Sequence, residues 1–232
     1  IGAMPVAEIF YGMTNKGFNG EDVLREINQK LKRILPTGMF CCGAMIEADF
    51  KLNQVQIWNG GLPDGWLIRP SGEHLALPSR HLPLGILSPD QFNAEFERVG
   101  AAPGDRVLMM TDGFLESADS EGNVFGEQGV TGTLDQLEAG DHPFDAMMAA
   151  VHRFIGNFED GDDLTLCSLE MMDEAGLAPL PDRAAPSALA GPAEWRCTYE
   201  IRERTLGEFS PLPFLLHICM EVPGLGRNRG ET

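Results

Sequence analysis

The segment 104–117 reads GDRVLMMTDGFLES, and the predicted fold depends on it. Gly104-Asp105 is typical of a turn, and Arg106–Met110 is a short apolar run that predicts a buried β-strand. The strand ends abruptly at Thr111-Asp112-Gly113. A carboxylate therefore stands where a rigid sheet gives way to a turn, a position from which a side chain can project into a cleft.

A second acidic turn, Asp162-Asp163, comes directly before the apolar run Leu164–Leu169. If the two strands lie side by side, the carboxylates of the two turns converge. Convergent carboxylates without His or Cys partners suit hard divalent cations such as Mg²⁺ or Mn²⁺, and a pair of such ions can activate water and clamp a phosphate. Each motif alone has a simpler interpretation, because a D-G pair after a strand is usually a turn and a D-D pair before a strand is usually a solvated loop.

On either side of these two turns, the chain alternates between helical and strand-like patterns. Apolar residues at helical spacing predict helices over 2–16 and 20–35, and Asn19 can cap the second of them. Short runs broken by turn residues then predict strands, and two more helices precede the last strand. This order favours an α+β layered sandwich. The other predicted strands are Met39–Asp49, Gln54–Asn59, Gly65–Arg69, His74–Leu77 and Phe92–Val99, and the later helices are Gln128–Leu137 and Pro143–Gly156.

The composition is that of a soluble globular protein. Of the 232 residues, 43% are apolar and 22% charged, and the net charge of −18 argues against a nucleic-acid groove or an anionic membrane surface. No apolar run approaches the length of about 18 residues needed for a membrane span, and no signal peptide precedes the first helix. That helical pattern runs from the first residues, as expected if the chain was entered in the middle of a longer protein.

The remaining polar residues give weaker indications. Five cysteines without a C-x-x-C spacing favour buried, reduced thiols in a reducing cytoplasm over disulfides or zinc. The five histidines are scattered and are interpreted as packing or surface residues. Glu116, close to Asp112, can be read either as a group that orients a metal-bound water or as a surface acid near a helix start.

The ordered set of motifs resembles the SpoIIE/RsbU-type, PP2C-like bacterial serine/threonine phosphatases over residues 1 to about 172. This resemblance implies a four-layer αββα sandwich, N-terminally truncated and with a C-terminal extension, that cleaves phosphoserine or phosphothreonine with two Mn²⁺ or Mg²⁺ ions. Asp112 and Asp162 match metal ligands of the family and would also be the catalytic residues, Asp163 is a third candidate ligand, and Gly113 is the candidate cofactor-binding residue beside Asp112. The motifs, in order, are Asn59-Gly60-Gly61, Leu82–Ile86, Gly104–Ser117, Phe125-Gly126 and Asp162–Leu166.

Two departures from the family pattern affect the expected activity. The first metal ligands of the family lie upstream of the first helix, and this chain begins just after their place, so we expect about half a metal site and little activity from the chain alone. The usual Asn-Ala-Gly-His turn is replaced by Asn59-Gly60-Gly61-Leu62, which removes any phosphate role for a histidine there.

The predicted domains are a phosphatase domain at 1–172, an Ala/Pro-rich linker at 173–193, and at 194–232 either the start of a histidine-kinase-like ATPase (anti-sigma) domain or an unrelated docking tail. By resemblance the expected protein is a cytoplasmic response-regulator phosphatase of two-component signalling, with an upstream receiver domain and a homodimer as a candidate state. Its expected partner is a phosphorylated anti-sigma factor antagonist. The alternative is a phosphatase-like module that binds such a partner without catalysis.

Overall fold

The computed structural model describes residues 3–49, 52–156 and 164–171, together with the backbone of a strand at 212–216. Two four-stranded sheets lie face to face, with helices on the outer side of each. The predicted four-layer αββα sandwich is therefore confirmed. Within the described part of the chain, no helix is long and apolar enough to cross a membrane.

The first sheet has the order β5-β2-β1-β8, with every neighbouring pair antiparallel. Its central strand β1 pairs along its whole length with β2, from Gly43 opposite Gly60 to Asp49 opposite Gln54. On its other side β1 pairs with β8, which lies at the edge of this sheet. Pro213, which has no backbone N–H to donate, is tolerated there because some N–H groups of an edge strand point away from the sheet and have no partner strand. The strands are β1 (Gly43–Asp49), β2 (Gln54–Gly60), β5 (Glu97–Gly100) and β8 (Leu212–Leu216).

The second sheet has the order β4-β3-β6-β7 and is also antiparallel. Its central strand β6 is buried from Val107 to Met110, as the apolar run predicts. The strands are β3 (Gly65–Ile68), β4 (His74–Leu77), β6 (Arg106–Met110) and β7 (Leu166–Glu170).

Helices α1 (Ala3–Thr14) and α2 (Gly20–Ile34) cover the first sheet. In α2 the buried residues recur at helical spacing, the Asn19 side chain accepts the Asp22 N–H at the start, and Lys32 and Arg33 lie in the last turn, where the helix dipole favours cations. Helices α3 (Gly113–Glu116), α4 (Gly126–Leu134) and α5 (Pro143–Ile155) cover the second sheet, and Pro143 suits the first position of α5.

The predicted strand Phe92–Val99 is wrong in its first half, because the strand begins only at Glu97. The alternation arises from packing instead: Phe92 and Ala94 are buried against the α1–α2 side of the first sheet. The intervening Asn93 forms hydrogen bonds outside any strand ladder: its carbonyl accepts the Trp58 indole N–H and its side chain accepts the Glu95 N–H. A period of two therefore occurs here without a strand ladder.

The prediction of buried thiols is confirmed for two of the three described cysteines. Cys41 and Cys42 are buried and Cys167 is half-buried, and none of them forms a disulfide. Burial raises the pKa of the Cys167 thiol to about 11. Cys197 and Cys219 lie outside the described residues, as do the predicted linker and most of the predicted C-terminal domain.

The packing of β6 gives a first testable prediction. Leu108 is fully buried between the second sheet and its helices, so Leu108→Ala should cost about 2–5 kcal/mol of unfolding free energy in urea titration. Leu75→Ala, on the exposed side of β4, is the matched control and should change it by about 0.5 kcal/mol or less. Equal losses in the two variants would contradict this account of the core.

Candidate active site at one end of the sandwich

The pairing of β6 with β7 places the two acidic turns at the same end of the second sheet. Met110, the last residue of β6, lies opposite Leu166, the first residue of β7. Because the strands are antiparallel, the chain leaves β6 beside the point where it enters β7. The two strands therefore lie side by side, which is the arrangement in which the carboxylates of the two turns are expected to converge.

Thr111 joins these two chain segments beyond the strand ends. Its backbone N–H donates to the Thr165 carbonyl at 3.0 Å, and its side-chain Oγ1 accepts the Thr165 N–H at 3.1 Å. Thr111 is buried, so these bonds are shielded from water. In the sequence Thr111 is recognisable only as part of the Thr111-Asp112-Gly113 motif. Hydrophobic periodicity contains no signal for its cross-strand hydrogen bonds.

Asp112 follows directly and is held at the start of α3. Its side chain is half-buried, and it accepts the Gly113 N–H at 3.0 Å. The Asp112 carbonyl in turn accepts the Glu116 N–H at 2.9 Å. One backbone donor of α3 thus orients the Asp112 carboxylate, and a second one holds the Asp112 carbonyl.

The other predicted site residues have different outcomes. Gly113 is buried, with its N–H engaged by Asp112, and its cofactor role stays a prediction. Glu116 is exposed and lies in the first and only turn of α3, which agrees with its interpretation as a surface acid near a helix start. Asp162 and Asp163 lie outside the described residues, so their convergence with Asp112 also stays a prediction.

The β2–β3 turn lies at the same end of the molecule. Gly60 ends β2 opposite the start of β1, and Gly65 begins β3, whose neighbour in the second sheet is β6. Gly61 has a φ of +83°, and a Cβ there would lie 2.9 Å from Cys42 Sγ, so a side chain would be both strained and obstructed. Leu62, at the place of the family's histidine, is buried between the sheets.

Asn59 holds this turn from inside. The side chain is buried, its Nδ2 donates to the Pro63 carbonyl at 2.9 Å, and its backbone carbonyl accepts the His81 N–H at 3.1 Å. Its Oδ1 has no hydrogen-bond partner within the described ranges. A buried oxygen without a partner can accept a hydrogen bond from a donor that binds nearby.

His81, which pairs with Gly60 at this end, has a packing contact. The His81 ring stacks on Trp58 with centroids 5.2 Å apart, and burial lowers the pKa of His81, which favours the neutral ring. Among the described residues, no group of three or more His, Cys, Asp or Glu side chains is arranged to hold a metal ion.

Comparison with known proteins establishes the family. The profile of the Stage II sporulation protein E (SpoIIE) family matches residues 1–172, and the chain therefore belongs to the SpoIIE family. No curated protein matches the chain.

Solved structures share the fold at low identity. The SiaA-PP2C domain of Pseudomonas aeruginosa has a TM-score of 0.54 and 21% identity, over 64% of this chain and 59% of that one. The SpoIIE phosphatase domain with a regulatory fragment from Bacillus subtilis has a TM-score of 0.58 and 19% identity, over 72% and 50%. The RsbU and RsbW domains of a Mycobacterium tuberculosis protein give 0.53 and 16%, over 72% and 46%. The chain thus has a PP2C-like phosphatase fold and spans about half the length of these three solved chains.

The Thr111 bonds give a second prediction. Thr111→Val removes the oxygen that accepts the Thr165 N–H and should lower the unfolding free energy by about 1 kcal/mol or somewhat more. Thr111→Ser keeps that oxygen and should recover most of the loss. Urea unfolding of the three proteins measures both effects, and a valine variant as stable as the parent would show that the side-chain bond does not form.

Proposed function

We propose that this chain is a metal-dependent phosphoprotein phosphatase that removes phosphate from serine or threonine of a signalling partner. The observation that carries the proposal is the placement of Asp112. It stands at the end of β6, next to the start of β7, in a chain of the SpoIIE family with a PP2C-like phosphatase fold. At the edge of a rigid sheet, the side chains around a bound phosphate group would be held in fixed positions.

The side chains proposed to hold Mg²⁺ or Mn²⁺ are Asp112, Asp162 and Asp163. The described one fits, because a carboxylate is the oxygen ligand that these hard cations prefer, and Asp112 is already oriented by the Gly113 N–H. When bound, a pair of such ions supplies Lewis acidity and lowers the pKa of a bound water. Members of the PP2C-like family generally use these metals.

The contribution of the chain itself is to orient and hold these groups. Thr111 holds the Asp112 turn against the start of β7, and Asn59 holds the β2–β3 turn at the same end. Preorganised side chains lose little freedom when substrate binds, which is how a rigid site favours a reaction. Each of these positions is set by backbone hydrogen bonds, not by long flexible side chains.

We infer that the partner is a phosphorylated anti-sigma factor antagonist or a similar regulatory protein in the cytoplasm. Support comes from the relatives, which include a phosphatase domain of a cell fate determinant and an RsbU domain joined to an RsbW domain. An upstream receiver domain, a C-terminal ATPase-like domain and a homodimer remain part of this proposal. Residues 212–216 fall within the range predicted for the C-terminal domain, and they form strand β8 beside β1 in the first sheet.

The proposal is tested by hydrolysis of a phosphoserine peptide with Mn²⁺. For the full-length protein we expect activity that EDTA removes, and less activity from residues 1–232 alone. Asp112→Asn should lower kcat by about 100-fold or more, since Asp112 would hold a metal ion that stabilises the charge developing in the reaction. Glu138→Gln removes one negative charge from an exposed position and should leave kcat unchanged.

Two results would count against this function. Activity that survives EDTA would exclude the metal mechanism, and an Asp112→Asn protein with parental kcat would exclude Asp112. Tight binding of a phosphorylated partner without turnover by the metal-loaded full-length protein would instead favour the non-catalytic binding module.

A further inference from the structure

Glu47 is a buried carboxylate in the central strand of the first sheet. Only 7% of the residue is exposed, and it shares the helix-facing side of β1 with Met45. Among the described residues the other buried acid is Asp105, which is paired with Arg69 and also accepts the Ala102 N–H at 2.6 Å. Glu47, by contrast, has no ion pair with a basic side chain in the described part of the chain.

The Glu47 carboxyl group faces the first residue of α2. Gly20 is buried, and a Cβ built on it would collide with Glu47 Oε1, lying 2.9 Å from Glu47 Cδ and 2.8 Å from Phe96 Cζ. Only glycine permits this approach of the helix to the strand. The Gly20 N–H is also one of the donors that the first turn of a helix leaves without an intrahelical partner, and it lies near enough to the Glu47 carboxyl to favour its charged form.

The surroundings of Glu47 favour its neutral form. Burial raises the pKa of Glu47, the Gly20 N–H opposes that rise, and the nearby Glu21 carboxylate adds to it. Glu21, Glu95 and Arg98 line an adjoining cavity of about 380 Å³ together with Gln56, the cross-strand neighbour of Glu47. Two of these charges are already engaged, since Arg25 binds Glu21 at 2.8 Å and Arg98 donates to Gln56 at 3.2 Å.

We propose that Glu47 is a protonation-sensitive latch that holds the N-terminal end of α2, and with it the α1–α2 turn at residues 15–19, against the first sheet. In the neutral form the carboxyl group stays buried at Gly20. In the ionised form one backbone N–H does not compensate the loss of water, so the end of α2 separates more readily from β1. This latch is independent of the proposed phosphatase activity, because it involves no residue of the candidate active site.

The sign of the pH effect follows from the direction of the pKa shift. A carboxyl group whose pKa is raised by folding stabilises the fold fully below its unfolded value of 4.5, and that contribution is lost as pH rises through the folded value. Amide hydrogen exchange, corrected for intrinsic rates, should show residues 15–24 losing about threefold or more of their protection over this range in the parent chain. Glu47→Gln, neutral at every pH, should show no such loss there, while the central strand β6 serves as an internal reference in both proteins.

A double-mutant cycle tests the contact itself. Gly20→Ala should lower Tm because its Cβ meets the Glu47 carboxyl, and adding Glu47→Ala should recover part of that loss, the rest coming from Phe96. Gly12→Ala, in α1 with open space around the new Cβ, is the matched glycine control and should not lower Tm. Purely additive losses at positions 20 and 47, or identical pH profiles of protection in the parent and Glu47→Gln proteins, would overturn the latch.

Discussion

The antiparallel pairing of β6 with β7 is the constraint on which the rest of this structure depends. Its register brings Met110 opposite Leu166, and the hydrogen bonds of Thr111 extend the pairing to Thr165 beyond the strands. The Asp112 turn therefore emerges from the sheet at the point where the chain enters β7. The Asp112 turn could not shift along the sheet without moving β6, which is buried and apolar, and a register shift of one residue would turn the core face of β6 to the opposite side.

The layers around this pair of strands keep it rigid. Apolar side chains fill the space between the two sheets and the space between each sheet and its helices. Close packing of this kind resists small displacements. Among the polar side chains that remain buried, Asp105 is held by the Arg69 guanidinium and the Ala102 N–H. The candidate site lies where the strands stop, and there backbone donors orient the polar side chains.

Much of the architecture could be predicted from the sequence because hydrophobic period and turn residues are local signals. The apolar run Arg106–Met110 and the α2 stripe with its Asn19 cap each correspond closely to an observed element. Phe92–Val99 shows the limit of that approach, since burial alternates there without strand pairing. The short helix α3 is too brief, at four residues, for a periodic signal.

The polar contacts of the site and of the first sheet had no sequence signal. Asp112 could be singled out because a motif places it after a strand, but the bond from Thr165 to Thr111 joins residues 54 positions apart and depends on the sheet register. Glu47 lies within an ordinary strand pattern, and its contact with Gly20 appears only when α2 is packed on the sheet. Long-range polar contacts are set by the tertiary structure, and one sequence alone does not reveal them.

The most direct test of this account is a crystal structure of the full-length protein grown with Mn²⁺, with the metal located by its anomalous scattering. We predict that the Asp112 and Asp162 carboxylates both contact the manganese site and lie within about 8 Å of each other, a distance that a bridged pair of ions with oxygen ligands at about 2–2.5 Å can span. Carboxylates on different faces of the sandwich, or manganese bound away from Asp112, would contradict the central claim that the β6–β7 pairing builds the active site.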